Sequence, residues 1–271
     1  MNQIPDPDEM RFAARPGPEF CIEFFGLPGS GKTTIAREFH AILARSTPGL
    51  ILAPELFRDE AGVAVRVAAK LRLILSEFAR SRAFPDAVRR TFAVRQPRLR
   101  DTLRAVFTVA TVVSLYANLG RRRIGAVLDQ GLLQALWTVQ LRRTGTGCDA
   151  LVADLLKDAA CSGRFHVAVE TPPEVCAERL AARTSKHSRM QAAGAGVDTH
   201  AWAKAEHLHR TILSDFWAAC RRQGVQRRMI VVDGTADPAE VAGQIMAAFL
   251  PFGLAPILPR AASNQGVPGR P

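Results

Sequence analysis

Residues 26 to 33 read Gly-Leu-Pro-Gly-Ser-Gly-Lys-Thr, a full match to G-x-x-x-x-G-K-[ST]. In that pattern the glycines let the backbone turn tightly with its N–H groups facing inward, and a helix N-terminus behind them adds the positive end of its dipole. The product is a cradle for phosphate oxygens. Gly26, Gly29, Ser30, Gly31, Lys32, Thr33 and Thr34 are therefore the candidate nucleotide-binding residues. Lys32 would reach the β- and γ-phosphates, and the Thr33 hydroxyl would coordinate Mg²⁺. The flanks supply what the motif needs on either side. Before it runs the short apolar stretch Phe20-Cys21-Ile22-Glu23-Phe24-Phe25; after it, 33–45 carries apolar residues at helical spacing. A strand–loop–helix phosphate loop (P-loop) requires that order, so ATP and Mg²⁺ are the expected cofactors.

A second chemical group stands at 126–131, Ala-Val-Leu-Asp-Gln-Gly. An acid at the tip of an apolar strand is where a P-loop protein places its second magnesium contact, often through water, and Asp129 is assigned there. The alternative is an Asp that caps the next helix. Other nucleoside triphosphatases are set aside by what is missing. The chain has no Asn-Lys-x-Asp, no Leu-Ser-Gly-Gly-Gln, and no Glu after Asp129 to polarise a water. Guanine-specific GTPases, ABC-type ATPases and motor ATPases are thereby disfavoured.

These groups need a frame. Five short apolar runs, Phe20–Phe25, Leu50–Ala53, Ile124–Leu128, Phe165–Val169 and Met229–Val232, alternate with helical patterns, the signature of a parallel sheet covered on both faces. The last helix has a start signal in Asp237-Pro238-Ala239-Glu240, with Asp as N-cap and Pro in the first turn. Residues 55–123 show helical periodicity with a break near Phe84-Pro85 and read as an inserted cap of two or three helices. Within it, 105–119 is the most hydrophobic stretch. It is shorter than the roughly twenty residues of a membrane span and contains Thr108, Thr111, Ser114 and Asn118, so it reads as a buried core helix.

At 271 residues, with 48% hydrophobic and 23% charged content, the chain suffices for one α/β core. Its organisation is expected to be a loose arm over 1–18, a single domain over 19–250, and a Pro- and Gly-rich tail over 251–271. Five scattered cysteines without a C-x-x-C pair read as reduced thiols, and the polar, proline-rich start is unlike a signal peptide, so a cytoplasmic location is expected. The net charge of +11 is carried largely by arginine, in runs such as Arg121-Arg122-Arg123, Arg142-Arg143, Arg221-Arg222 and Arg227-Arg228. No aromatic residues interleave them. Solvated helix faces are favoured over a nucleic-acid surface, which stays open as the alternative.

The run His166-Val167-Ala168-Val169-Glu170-Thr171-Pro172-Pro173-Glu174-Val175, followed by Arg179-Leu180-Ala181-Ala182-Arg183, resembles nucleoside and nucleotide kinases, especially thymidylate and deoxynucleoside kinases. Those families share the P-loop, the acid after strand three, and a Pro-Pro-Glu-Val-like passage into an R-x-x-x-R lid helix. Asp233-Gly234-Thr235 is similar to their adenine-contacting loop. The resemblance implies a three-layer P-loop NTPase fold, a five-stranded parallel sheet in the order 2-3-1-4-5, a helical substrate cap, and a lid over 179–200. It implies transfer of the ATP γ-phosphate to a small acceptor. Arg179 and Arg183, four apart, would clamp the transferring phosphoryl group from one helix face, with Lys186 and Arg189 extending the charge.

Two departures leave the acceptor open. Gln130 stands where deoxynucleoside kinases carry arginine, and Pro54-Glu55-Leu56-Phe57-Arg58 keeps only the acid of the thymidylate-kinase segment. Glu55, at the carboxyl end of strand two, is a candidate base for an attacking hydroxyl; the alternative is a surface acid paired with Arg58 or capping a helix. Phe57, Phe84, Phe92, Tyr116 and Trp137 are candidate base-stacking aromatics. The expected partners are ATP and a nucleoside- or nucleotide-like acceptor, with a sugar or other metabolite, or a regulatory ATPase without an acceptor, as alternatives. A homodimer is left open.

Overall fold

The computed structural model describes residues 20–45, 47, 49–52, 62–80, 88–89, 91–92, 96–141, 164–183, 199–222, 224 and 228–252. The strands are β1 (Cys21–Gly26), β2 (Ile51–Leu52), β3 (Ala126–Leu128), β4 (Phe165–Glu170) and β5 (Met229–Asp233). The helices are α1 (Lys32–Ala44), α2 (Val63–Phe78), α3 (Leu99–Arg122), α4 (Leu132–Leu141), α5 (Pro173–Ala181), α6 (Thr199–Arg222) and α7 (Pro238–Phe249). All strand pairs are parallel, and the order is β2-β3-β1-β4-β5, as the kinase resemblance implies.

Alternation along the strands builds the layers. Phe24, Val167 and Val169 face Ile35, Phe39, Val241, Ile245 and Phe249 of α1 and α7. Phe25 and Ala168 face the other way, into a core with Leu133, Leu136 and Trp137 of α4 and Ile212 and Phe216 of α6. Adjacent residues thus serve opposite faces, as a pleated strand dictates. The α7 start matches its sequence signal: the Asp237 carboxylate accepts from the N–H groups of Ala239 (2.9 Å) and Glu240 (3.1 Å).

Two expected strands begin later than their apolar runs. Ile124 is claimed by the end of α3, its N–H bonding to Leu119 O (3.2 Å), so β3 begins only at Ala126. The described part of β2 is Ile51–Leu52: Leu50 is taken up in a turn back to Thr47 O (3.3 Å), and residue 53 lies outside the described residues.

The inserted region supplies α2 and α3, packed on one another, and the Phe84-Pro85 break falls outside the described residues. α3 is long and apolar enough to cross a membrane by length and composition alone. Here Ala105, Val109, Leu115 and Leu119 bury one of its faces against the body of the protein. Arg121 of the arginine triplet forms an ion pair with the buried Glu77 of α2 (Nη1 to Oε2, 2.6 Å). Arg122 and Arg222 stand in the last turns of α3 and α6, where cations complement the helix dipole.

Candidate active site

The P-loop lies between the end of β1 and the start of α1, and its shape follows from its glycines. Gly29 (φ 90°) and Gly31 (φ 92°) occupy the left-handed region that side chains disfavour. A Cβ on Gly29 would also lie 2.5 Å from Cys176 O of α5. The loop is held from the β4 side by the Thr171 hydroxyl, which donates to Ser30 O (3.1 Å), while Gly234 N donates to Glu170 O (2.7 Å) and ties the turn after β5 to β4. A Cβ on Gly234 would collide with Thr171 Oγ1 and Ser30 O, so glycine is needed where the β5–α7 turn abuts the loop.

Lys32 is folded back over its own loop. Its ammonium donates to Gly26 O (2.8 Å), Leu27 O (2.7 Å) and Ser30 Oγ (3.4 Å). Burial pushes its pKa down to about 8; the neighbouring Cys176 and Asp129 act upward, and Arg183 adds to the lowering. The first residues of α1 and the end of β3 meet across the sheet, with Thr33 Oγ1 donating to Asp129 Oδ2 at 3.0 Å. A hydroxyl and a carboxylate side by side are hard oxygen donors of the kind magnesium takes. Among the described residues no group of three or more His, Cys, Asp or Glu side chains could hold a metal by itself, so this pair fits an ion shared with phosphate oxygens and water.

Arg179, in the last turn of α5, donates from Nη1 to Gly234 O (2.8 Å), and the same nitrogen lies 3.6 Å from where a Cβ on Gly31 would stand. Its charge therefore borders the phosphate cradle. The expectation that Arg179 and Arg183 share one helix face needs correction. α5 ends at Ala181, and the N–H of Arg183 bonds to Leu180 O (3.3 Å) in a tightened final turn, leaving Arg183 exposed beyond the helix. It remains in electrostatic range of Lys32. Glu55, Arg58, Lys186 and Arg189 lie outside the described residues.

A cavity of about 650 Å³ opens beside the loop, lined by Leu27, Thr171, Pro172, His209, Val231 and Asp233 among others. His209 stacks on Phe25 with ring centroids 4.5 Å apart. Burial, with the charges of Lys32 and Arg210 adding to it, pushes its pKa down to about 4, so it is neutral at physiological pH.

Two of the five aromatic candidates are occupied otherwise. Trp137 is a core residue whose indole N–H donates to Ala205 O (3.0 Å). The Tyr116 hydroxyl donates to Glu23 Oε2 (2.6 Å), and the Arg164 guanidinium covers its ring at 3.6 Å. Phe92 is exposed, and Phe57 and Phe84 lie outside the described residues.

Sequence reasoning passed over Glu23. In the sequence it stands only as part of an apolar strand, yet it is wholly buried, accepting from Tyr116 and from Leu133 N (2.6 Å) at the start of α4. A lone carboxylate inside an otherwise apolar strand was the available signal.

A glycine-shaped loop, its lysine, a threonine–aspartate pair and a bordering arginine, all at the carboxyl ends of a parallel sheet, define a P-loop nucleotide-binding protein. The chain belongs to the AAA domain family, whose model matches residues 22–208. Its fold is similar to a solved structure of deoxyadenosine kinase from M. mycoides with bound dATP, at 13% identity and TM-score 0.47 over 85% of this chain and 99% of that one. A second structure of that enzyme, with bound dCTP, aligns at 12% identity and TM-score 0.42 over the same shares. No curated protein matches this chain in sequence.

Proposed function

We propose that this protein is an ATP- and Mg²⁺-dependent phosphotransferase that moves the γ-phosphate to a small-molecule acceptor of nucleoside or nucleotide type. The observation that carries the reading is the 3.0 Å bond between Thr33, directly after Lys32, and Asp129 at the tip of β3. The cavity beside Leu27 offers room for the nucleoside half of ATP. The turn after Asp129 continues with Gln130 and Gly131, with no carboxylate to activate water, which supports an organic acceptor over simple hydrolysis.

In this reading the Lys32 ammonium exchanges the carbonyls of Gly26 and Leu27 for the β- and γ-phosphate oxygens. The loop N–H groups hold the remaining phosphate oxygens. Thr33 and, through water, Asp129 would hold magnesium, which would supply neutralisation of phosphate charge. Arg179 and Arg183 neutralise the transferring group. The bond from the γ-phosphorus to the β,γ-bridging oxygen breaks and leaves its electrons on ADP, while the acceptor hydroxyl forms the new P–O bond and passes its proton to Glu55. Positioning and charge carry the catalysis. The acceptor class rests on the resemblance of the 166–183 and 233–235 segments to nucleoside and nucleotide kinases. A cytoplasmic site of action belongs to the same proposal.

The test is ADP release across panels of nucleosides, nucleotides and sugars, with Lys32→Ala as blank. Acceptor-stimulated release by a nucleoside or nucleotide supports the reading. Stimulation by sugars alone replaces the acceptor class, and release indifferent to every acceptor replaces transfer with hydrolysis.

A further inference from the structure

Glu23 sits in the middle of β1, opposite Leu128 of β3 on one side and His166 of β4 on the other. Its side chain is fully buried. One carboxyl oxygen accepts from Leu133 N (2.6 Å) and the other from the Tyr116 hydroxyl (2.6 Å). The Tyr116 oxygen in turn accepts from Leu132 N (3.0 Å). The first two N–H groups of α4 therefore end on a carboxylate from β1 and a hydroxyl from α3. Gly131 is part of the same fit, since a Cβ there would overlap the Glu23 carboxyl group.

Only Asp129, Gln130 and Gly131 separate β3 from α4. One end of that turn is fixed by the β1–β3 ladder, and the other by Glu23 and Tyr116. The Asp129 carboxylate has little latitude left, and it meets Thr33 at 3.0 Å. A buried carboxylate carries a desolvation penalty. A helix start alone could be satisfied by an Asp or Ser at the N-cap. What the distant carboxylate adds is a fixed distance between the strand that launches the P-loop and the helix that follows the magnesium aspartate. Tyr116 adds a third body, because it belongs to α3 of the inserted region.

We propose that Glu23 and Tyr116 are positioning residues that hold the 129–131 turn so that Asp129 meets Thr33, and thereby set the magnesium requirement of nucleotide binding. The proposal rests on the ATP·Mg²⁺ reading above. It goes beyond that reading by assigning the role to two residues that belong neither to the phosphate loop nor to the Thr33–Asp129 pair.

The experiment is calorimetric binding of ADP to the full chain across a magnesium titration, and in EDTA. Tyr116→Phe keeps the ring under Arg164 and removes both hydroxyl bonds; it should raise half-saturating Mg²⁺ about tenfold, the worth of one charge-assisted hydrogen bond. Magnesium-free ADP affinity should stay within about twofold, because the P-loop amides and Lys32 are untouched. Glu23→Gln retains an acceptor for Leu133 N and should give a smaller rise in the same direction. Ile245→Val, a core truncation on the opposite face of the sheet, lowers stability and should leave the magnesium dependence unchanged. In the double variant Tyr116→Phe/Asp129→Asn, the magnesium penalty should not exceed that of Asp129→Asn alone. Unchanged half-saturation in both Tyr116→Phe and Glu23→Gln would overturn the positioning role, as would full additivity in the double variant. Wild-type ADP binding that ignores magnesium would instead remove the parent reading, and this one with it.

Discussion

Raising the pH should stabilise the ligand-free protein through a single buried residue, Lys32. Its pKa falls from 10.5 to about 8, mainly because burial disfavours the charged ammonium. At about 1.4 kcal/mol per pH unit, that lowering is worth about 3 kcal/mol. In the unfolded chain the lysine keeps its proton up to about pH 10.5, whereas the native lysine releases it near 8. Between those values the unfolded state binds more protons, so stability rises with pH across the window. Lys32→Met keeps the aliphatic stem and cannot titrate. Urea unfolding of both proteins between pH 7 and 10.5 should give curves that differ in slope by up to about 1.4 kcal/mol per pH unit, and by about 3 kcal/mol in total. Every other titrating group is common to both and cancels in the difference. The lost bonds to Gly26 O and Leu27 O offset the two curves by an amount that does not vary with pH. Nucleotide should reverse the effect, because phosphate oxygens beside the ammonium raise its pKa. ADP binding above pH 8 should therefore take up a proton, seen as a dependence of the calorimetric heat on buffer ionisation. Parallel unfolding curves, or no proton uptake, would refute the picture of a charged lysine held at a desolvation penalty.

Gly234→Ala should lower stability by about 1–3 kcal/mol and weaken ADP binding, because the new methyl group collides with Thr171 and Ser30; urea titration and calorimetry read both effects. Asp129→Asn should raise the Mg²⁺ needed for any ATP-dependent turnover, including background hydrolysis, whereas Glu55→Gln should spare background hydrolysis and abolish transfer to the acceptor. ADP release with and without acceptor separates the two substitutions. Arg179→Ala should lower kcat by about two orders of magnitude while moving the KM for ATP much less, since a transition-state contact is lost, as steady-state kinetics would report.

Local spacing explains what was legible in the sequence. The P-loop, the Asp237 cap of α7 and the Asp129 strand tip are each written within a few consecutive residues, and the five apolar runs followed by turns yield the parallel sheet. What could not be read depends on partners far apart in the chain. Arg179 finds Gly234 O across 55 residues, and Glu23 finds Tyr116 across 93 and Leu133 across 110. No periodicity announces such pairs. Two aromatic candidates were illegible for a related reason: a helix sequence does not reveal whether Trp137 or Tyr116 turns inward, and both are engaged within the protein. Strand limits failed where two elements competed for one backbone group, as α3 and β3 do at Ile124.

The register of the strands gives the upper rim of the sheet an uneven profile. β1 runs on to Gly26, level with Val169, whereas β3 stops at Leu128, level with Glu23. Asp129 therefore sits beside Phe24, two residues lower than Gly26, a drop of about 7 Å at the rise of a β-strand. The rim is a terrace: a high step of β1 and β4 that bears the phosphate loop, and a low step of β3 beside it. A triphosphate lying on the high step would overhang the low one at its terminal phosphate, with Thr33 and Asp129 at the riser. Under the proposed transfer, the stagger of these strands would give the reaction a direction, presenting the departing phosphoryl group toward the β2–β3 side of the sheet and away from the cavity beside β5.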